Sequence, residues 1–259
     1  MAVLASVILL LGAGKFKIYK LHHLTTIDHY PSLVQVEYYD PWNRVWYQSC
    51  AASILTSKTL LSAAHCFSGL LYQASWRRVR AGTSFQSSGG QVSNVAREIN
   101  HPTFSTDSTV GHITVVVLQT QLIYSDVVQQ ATIITQDSVL PDDSPVVYAG
   151  WGRTVADDAN SESFQLRDVT VFTINNQLCR DRYSDREEIV DENMICAGIL
   201  NVGGKDSCKG DSGGPLYYGR LLVGVVSWGQ SCADDHYPGV NTRVAAYTHW
   251  IRVIRSSAS

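Results

Sequence analysis

The chain has 259 residues, 45% of them hydrophobic and 17% charged, with a formal net charge of −3. That length suits one large domain or two small ones packed together, and the composition is that of an ordinary globular protein. The mild negative charge with no polybasic stripe excludes nucleic acid as an expected partner.

Residues 1–14, MAVLASVILLLGAG, join a mostly apolar run over 3–11 to small residues at Gly12, Ala13 and Gly14. This is the layout of a secretory signal peptide, although no Lys or Arg precedes the apolar run. No later segment approaches the roughly 18 apolar residues of a membrane span, so a secreted protein with no membrane partner is expected. Six cysteines (Cys50, Cys66, Cys179, Cys196, Cys208 and Cys232) agree with export to an oxidising compartment. None forms a CxxC pair, so zinc is not expected, and spacing alone leaves the disulfide pairing open. Of 20 Lys and Arg, 14 are Arg, and only Lys58, Lys205 and Lys209 are lysines beyond residue 20. Arginine keeps its charge well above the pH at which lysine titrates, a bias suited to a strongly alkaline fluid.

After residue 30 the chain reads as short β-rich runs broken by turns: LVQVEYY, SILTSKTLL, RRVRAG, ITVVVL, SPVVYAGWG, RDVTVFTI, RLLVGVVSWG and PGVNTRV. The spacing predicts an all-β protein, a sandwich or a pair of barrels. Residues 113–118 are apolar except Thr114, and His112 stands at the entrance of that strand. Residues 120–143 break the strand rhythm, as a connection between two halves would. One helix is predicted, at the C-terminus, where Tyr247, Trp250, Ile251 and Ile254 recur at helical spacing.

The chemistry concentrates in GGKDSCKGDSGGPLYY. Ser212 is flanked by Gly210, Asp211, Gly213 and Gly214, where a sharply turned backbone can aim several N–H groups at one point. Acyl transfer needs that arrangement of a nucleophilic hydroxyl beside donors for an oxyanion. The hydroxyl needs a base, and His65 in LLSAAHCF stands directly before Cys66, whose disulfide would fix its backbone.

With LSAAHC, YAGWG, NMICAG, DSCKGDSGGP, VSWG and PGVNTRV, the chain resembles the trypsin-like (chymotrypsin-fold, S1) serine proteases, and in particular the gut trypsins of lepidopteran insects. The resemblance runs from about residue 25 to the C-terminal helix. It implies two packed antiparallel six-stranded β-barrels, over 25–130 and 131–259, the latter including the helix, with the active site in the cleft between them. It implies disulfides Cys50–Cys66, Cys179–Cys196 and Cys208–Cys232, and an oxyanion hole made by the N–H groups of Gly210 and Ser212. Asp206 falls at the base of the specificity pocket, Gly229 and Gly239 keep that pocket open, and Ser227, Trp228 and Gly229 pair with extended substrate. Cleavage after Arg or Lys is implied. The partners implied are polypeptide substrates or protein protease inhibitors, acting on a monomer. The loop after Arg80 lacks the acidic residues of calcium-binding relatives, so no metal or other cofactor is expected.

Two departures qualify the resemblance. Aligned on Ile113 and Leu118, the triad aspartate position holds His112. A neutral His112 accepts a hydrogen bond from His65 if its other nitrogen donates to Ser227, but it supplies no negative charge, and a protonated one repels His65. Loss of the aspartate's charge from such a triad is known to cost about four orders of magnitude in turnover. Asp107, the nearest upstream acid, lies outside the strand entrance. The second departure is over residues 15–24, a degenerate activation segment. Where the family has Ile-Val-Gly-Gly, this chain has Tyr19, Lys20, Leu21 and His22, and Leu and His fit poorly where glycines turn the chain into a tight pocket. Cleavage after Lys17 would free Ile18, one residue out of register. Asp211 is the residue that would receive the new N-terminus, and without that ion pair the oxyanion hole loses its support.

Two functional readings follow. One is a secreted trypsin-type endopeptidase with strongly reduced turnover. The other is a catalytically inactive homologue that binds other proteins through a preserved cleft. For the first, two facing imidazoles predict activity that rises from neutral to alkaline pH.

Overall fold

A computed structural model describes residues 22–70, 72–106 and 109–257. The signal-peptide segment, residues 15–21 and Asp107 lie outside these. Two short strands, β1 (His23–Leu24) and β8 (Thr132–Ile133), accompany two closed six-stranded antiparallel barrels. The first barrel runs β2 (Leu33–Asp40), β3 (Val45–Ile54), β4 (Thr59–Ser62), β7 (Thr114–Leu118), β6 (Gln91–Asn100), β5 (Arg77–Ala81) and back to β2. The second runs β9 (Pro145–Gly150), β10 (Arg167–Ile174), β11 (Met194–Gly198), β14 (Gly239–Arg243), β13 (Leu221–Trp228), β12 (Pro215–Tyr218) and back to β9. Residues 119–144 lead from one barrel to the other, while β1 pairs with β10 of the second.

Alternation explains the first barrel. On β2, Val34 and Val36 point into the core, where they meet Ala81 and Val79 of β5 in register. The intervening Gln35 and Glu37 face the other way, yet both are fully buried. Gln35 donates to the Phe85 carbonyl at 2.9 Å and accepts from the Ser87 N–H at 2.7 Å. The Glu37 carboxylate lies between Arg78 and Arg80 of β5, at 2.5 and 2.6 Å. Strand β7 is buried along its whole length, held between β4 and β6 and packed against the C-terminal helix.

That helix, α2 (Val244–Ser257), buries Val244, Tyr247, Thr248 and Ile251, the one stripe that helical spacing provides. A second helix, α1 (Asn176–Arg182), was not predicted. Only Cys179 of its seven residues is buried, so no apolar period marks it in the sequence. Its start is set by Asn175, whose side chain accepts from the N–H groups of Gln177 and Leu178.

A buried carboxylate between two guanidinium groups is costly to break, because removing one charge strands the others. Replacing Glu37 by Ala is therefore expected to lower stability by about 3 kcal/mol, read as a fall in the thermal midpoint. An unchanged midpoint would mean that both arginines turn to solvent without cost.

Candidate active site

The cleft is built where the two barrels touch. Strand β4 ends in a short 3₁₀ turn, Ala64–Phe67, that presents His65, and the Cys50–Cys66 disulfide ties this turn to β3. His112 sits just ahead of β7 and is 9% exposed. Its ring stacks on Phe104, with centroids 5.5 Å apart and planes 6° from parallel. Nε2 of His112 lies 2.8 Å from Nδ1 of His65, and Nδ1 of His112 lies 2.5 Å from Ser227 Oγ. The strand entrance, the 3₁₀ turn and the end of β13 thus meet through one hydrogen-bonded run across the seam.

Ser212 lies on the turn after the Cys208–Cys232 disulfide. Its carbonyl accepts from the Ala51 N–H of β3 at 2.8 Å, so the first barrel holds the turn of the second. The Asp211 carboxylate faces inward and accepts from the N–H groups of Gly152 and Cys208. Gly210 has φ +100°, a conformation that favours glycine. The Lys209 carbonyl accepts from the Arg153 N–H at 2.9 Å, and the Gly210 carbonyl accepts from the buried Gln48 side chain at 2.5 Å. With both carbonyls tied back, the N–H groups of Gly210 and Ser212 have no partner among the described residues.

Asp206 is 3% exposed and forms the floor of a cavity of about 190 Å³. Ser212, Ser227, Trp228, Gly229 and Gly239 line it. The carboxylate oxygens accept from the N–H groups of Ser207 and Ala233. A Cβ on Gly239 would stand 2.6 Å from Asp206 Oδ1, which requires glycine there. His22, the first described residue of the chain, lies beside Asp206. Its ring is half-buried, and Nε2 donates to the Asp206 carbonyl at 2.9 Å.

Burial holds the pKa of both histidines below the ordinary range, and His65 lowers His112 further. The shift is larger for His112, whose ring is enclosed, than for His65, which has an exposed edge in the cleft. Both rings are therefore neutral already at neutral pH. That depression moves the titration of both rings to the acid side of neutrality. Ser212 Oγ has no hydrogen-bond partner among the described residues, and such contacts commonly tighten only when substrate closes the site.

Sequence reasoning did not reach Phe104, Gln48 or Arg153, because each acts through a contact that is remote in the chain and carries no motif. Among the described residues the only cluster with metal-ligand spacing is Cys50, His65 and Cys66, and its two sulfurs are joined in the disulfide. No helix there is long and apolar enough to cross a membrane.

A serine on a glycine-rich turn, a histidine on a disulfide-pinned 3₁₀ turn and a buried aspartate on the floor of a pocket, carried by two six-stranded barrels, define the chymotrypsin-fold serine proteases. The family model described as "Trypsin" matches residues 23–251, and the chain belongs to the trypsin family. Trypsin CFT-1 of Choristoneura fumiferana is 42% identical over 230 residues, 88% of each chain. Trypsin, alkaline A, of Manduca sexta is 40% identical over 228 residues, 88% of this chain and 87% of that one. Trypsin Blo t 3 of Blomia tropicalis is 38% identical over 204 residues, covering 78% and 76%.

Replacing Gly239 by Ala would place a methyl group against the Asp206 carboxylate. A loss of at least about tenfold in benzamidine affinity is expected, since a buried charge-assisted contact is worth about 1.5–3 kcal/mol. Unchanged affinity would show that the probe binds elsewhere.

Proposed function

We propose that this chain is a secreted serine endopeptidase that cleaves after Arg or Lys through an acyl-enzyme on Ser212, with turnover strongly reduced by His112. The observation that carries this reading is the run Ser227 Oγ, His112 Nδ1, His112 Nε2, His65 Nδ1. If Ser227 accepts from His112 Nδ1–H, then His112 Nε2 is an acceptor and His65 must carry its proton on Nδ1. His65 Nε2 is then unprotonated, as a general base requires. If the Ser227 hydroxyl instead donates, each proton shifts one place and His65 Nε2 is protonated and useless as a base. The geometry fits both directions, so the base-competent state is one of two.

In the competent state Ser212 Oγ attacks the scissile carbonyl carbon as its proton passes to His65 Nε2. The carbonyl electrons move onto oxygen, which the N–H groups of Gly210 and Ser212 receive. The imidazolium returns the proton to the leaving amine as the C–N bond breaks, leaving an acyl-enzyme. Water then repeats the sequence and releases the acid. At the imidazolium stage an aspartate would offer a full negative charge, whereas neutral His112 offers only a lone pair. Burial already disfavours charge on His65, so the missing anion falls on the step least able to do without it.

Asp206 beneath the pocket supports selection of a guanidinium or ammonium side chain, and Asp211 is the residue to receive a processed N-terminus. Secretion is supported by residues 1–14 and the three disulfides. The scarcity of lysine suits an alkaline fluid, and the Manduca sexta relative bears the word alkaline in its name. The neutral ring of His112 behind His65 Nδ1 favours a second reading, a non-catalytic homologue that binds protease inhibitors or substrates through the same cleft.

Fluorophosphonate labelling of the processed protein, with Ser212→Ala as control, separates the two. Slow Ser212-dependent labelling is expected, and none at all would sink the enzyme reading. Converting His112→Asp is expected to raise kcat by about 10³–10⁴ with little change in KM, because the charge acts on the transition state. The depressed histidines set the sign of the pH dependence. Activity needs unprotonated His65, so kcat/KM should fall only below the ordinary histidine pKa of 6.5 and stay level above neutrality. A midpoint above that value would contradict the burial argument.

A further inference from the structure

We propose that the pocket between Tyr38, Tyr47, Tyr72 and Arg77 is a leaving-group-side subsite that takes a carboxylate side chain of the bound polypeptide. The proposal rests on the reading of the cleft as a peptide-binding site directed by Asp206. The cavity is about 360 Å³ and open to solvent, with Ser49 and Ser68 on its wall. Ser68 also lines the cavity that contains His65 and His112, so the two adjoin. The acyl side of a substrate is accounted for by the Asp206 pocket and residues 227–229. On the opposite side of Ser212 stands β3, whose Ala51 N–H holds the Ser212 carbonyl. Ser49 is two residues before Ala51 on that strand, and a chain leaving the scissile bond on this side passes it.

Arg77 gives the pocket its chemistry. Its guanidinium is half-buried, 4.5 Å from the centre of the Tyr38 ring and 5.3 Å from that of Tyr72. Nε donates to the Cys66 carbonyl at 3.1 Å and Nη1 to the Trp76 carbonyl at 3.3 Å. Those bonds fix the plane of the group and leave Nη2 with no partner among the described residues. The nearby Glu98 accepts from the Tyr72 hydroxyl at 2.6 Å and forms no ion pair with Arg77. By contrast Arg78 and Arg80, on the other face of β5, share Glu37. Arg77 is thus a pinned cation between aromatic rings with no carboxylate within 4 Å among the described residues, and an acidic residue of a bound peptide would complete it.

The test uses the Ser212→Ala protein, so that binding is read without turnover. Peptides with Arg at the cleaved position carry a single Glu at the first, second or third leaving-group position, each with a Gln counterpart. Glu is expected to bind about fivefold tighter than Gln at one of the three, in keeping with a partly exposed charge pair. Added salt should erase the difference, and so should Arg77→Gln. Because Arg77 also holds the Cys66 carbonyl, benzamidine affinity and the Gln-peptide Kd check that the variant keeps its cleft, and the salt response of the unmutated Arg77 does not depend on the variant. Equal binding of Glu and Gln peptides at all three positions overturns the subsite, as does a Glu preference that survives Arg77→Gln. Failure of every peptide to bind overturns the peptide-cleft reading, and the subsite with it.

Discussion

Two imidazole nitrogens 2.8 Å apart share one proton across the seam between the barrels. One ring belongs to a turn pinned by a disulfide, the other to the mouth of a fully buried strand. Neither can move far without disturbing a core, so the direction in which that proton lies is set by what stands behind it. Here that is a hydroxyl, which donates or accepts with equal ease, whereas a carboxylate only accepts. A carboxylate therefore selects one tautomer of its neighbouring histidine and also opposes the charge that forms on it. Ser227 behind His112 imposes the first only by the orientation of a single O–H bond, and the second not at all.

The surroundings of this pair follow from burial. Phe104 covers one face of His112 and excludes water, which disfavours protonation of both rings. In a site with an aspartate, such exclusion strengthens the attraction between anion and imidazolium. With two neutral rings it only raises the cost of charging either one. The same enclosure thus has opposite value in the two cases. The Ser212 turn, by contrast, is fully braced, by Ala51, Gln48, Gly152 and Arg153.

Much of the fold was legible because its strands alternate or run apolar. TVVVL reads as a buried strand, and Tyr247 and Ile251 mark the helix that covers it. Strand β3 was missed because VWYQSCAASI mixes polar and apolar residues with no clear period. The polar face of β2 was also illegible, since Glu37 looks like a solvated charge until β5 brings Arg78 and Arg80 beside it. At the site, the glycine-flanked serine and the histidine before a cysteine declare acyl-transfer chemistry in a few residues. The meaning of His112 came only by resemblance, because one histidine before an apolar strand says nothing of itself. Its partners could not be read at all: Ser227 is 115 residues away, and the hydrogen bond exists only because two barrels meet.

The distribution of charge around the cleft follows one rule. Where a buried ion has its counter-ion in the chain, as Glu37 has, it serves the fold. Where it has none, the deficit marks a place that something else must complete. On the proposed reading the deficit behind His65 is an anion, at the buried position that His112 occupies. Beside Cys66 the deficit faces outward, at Arg77, where a bound chain can reach it. The two differ in kind: on the proposed reading the first bears on how fast the cleft acts, and the second on what it holds.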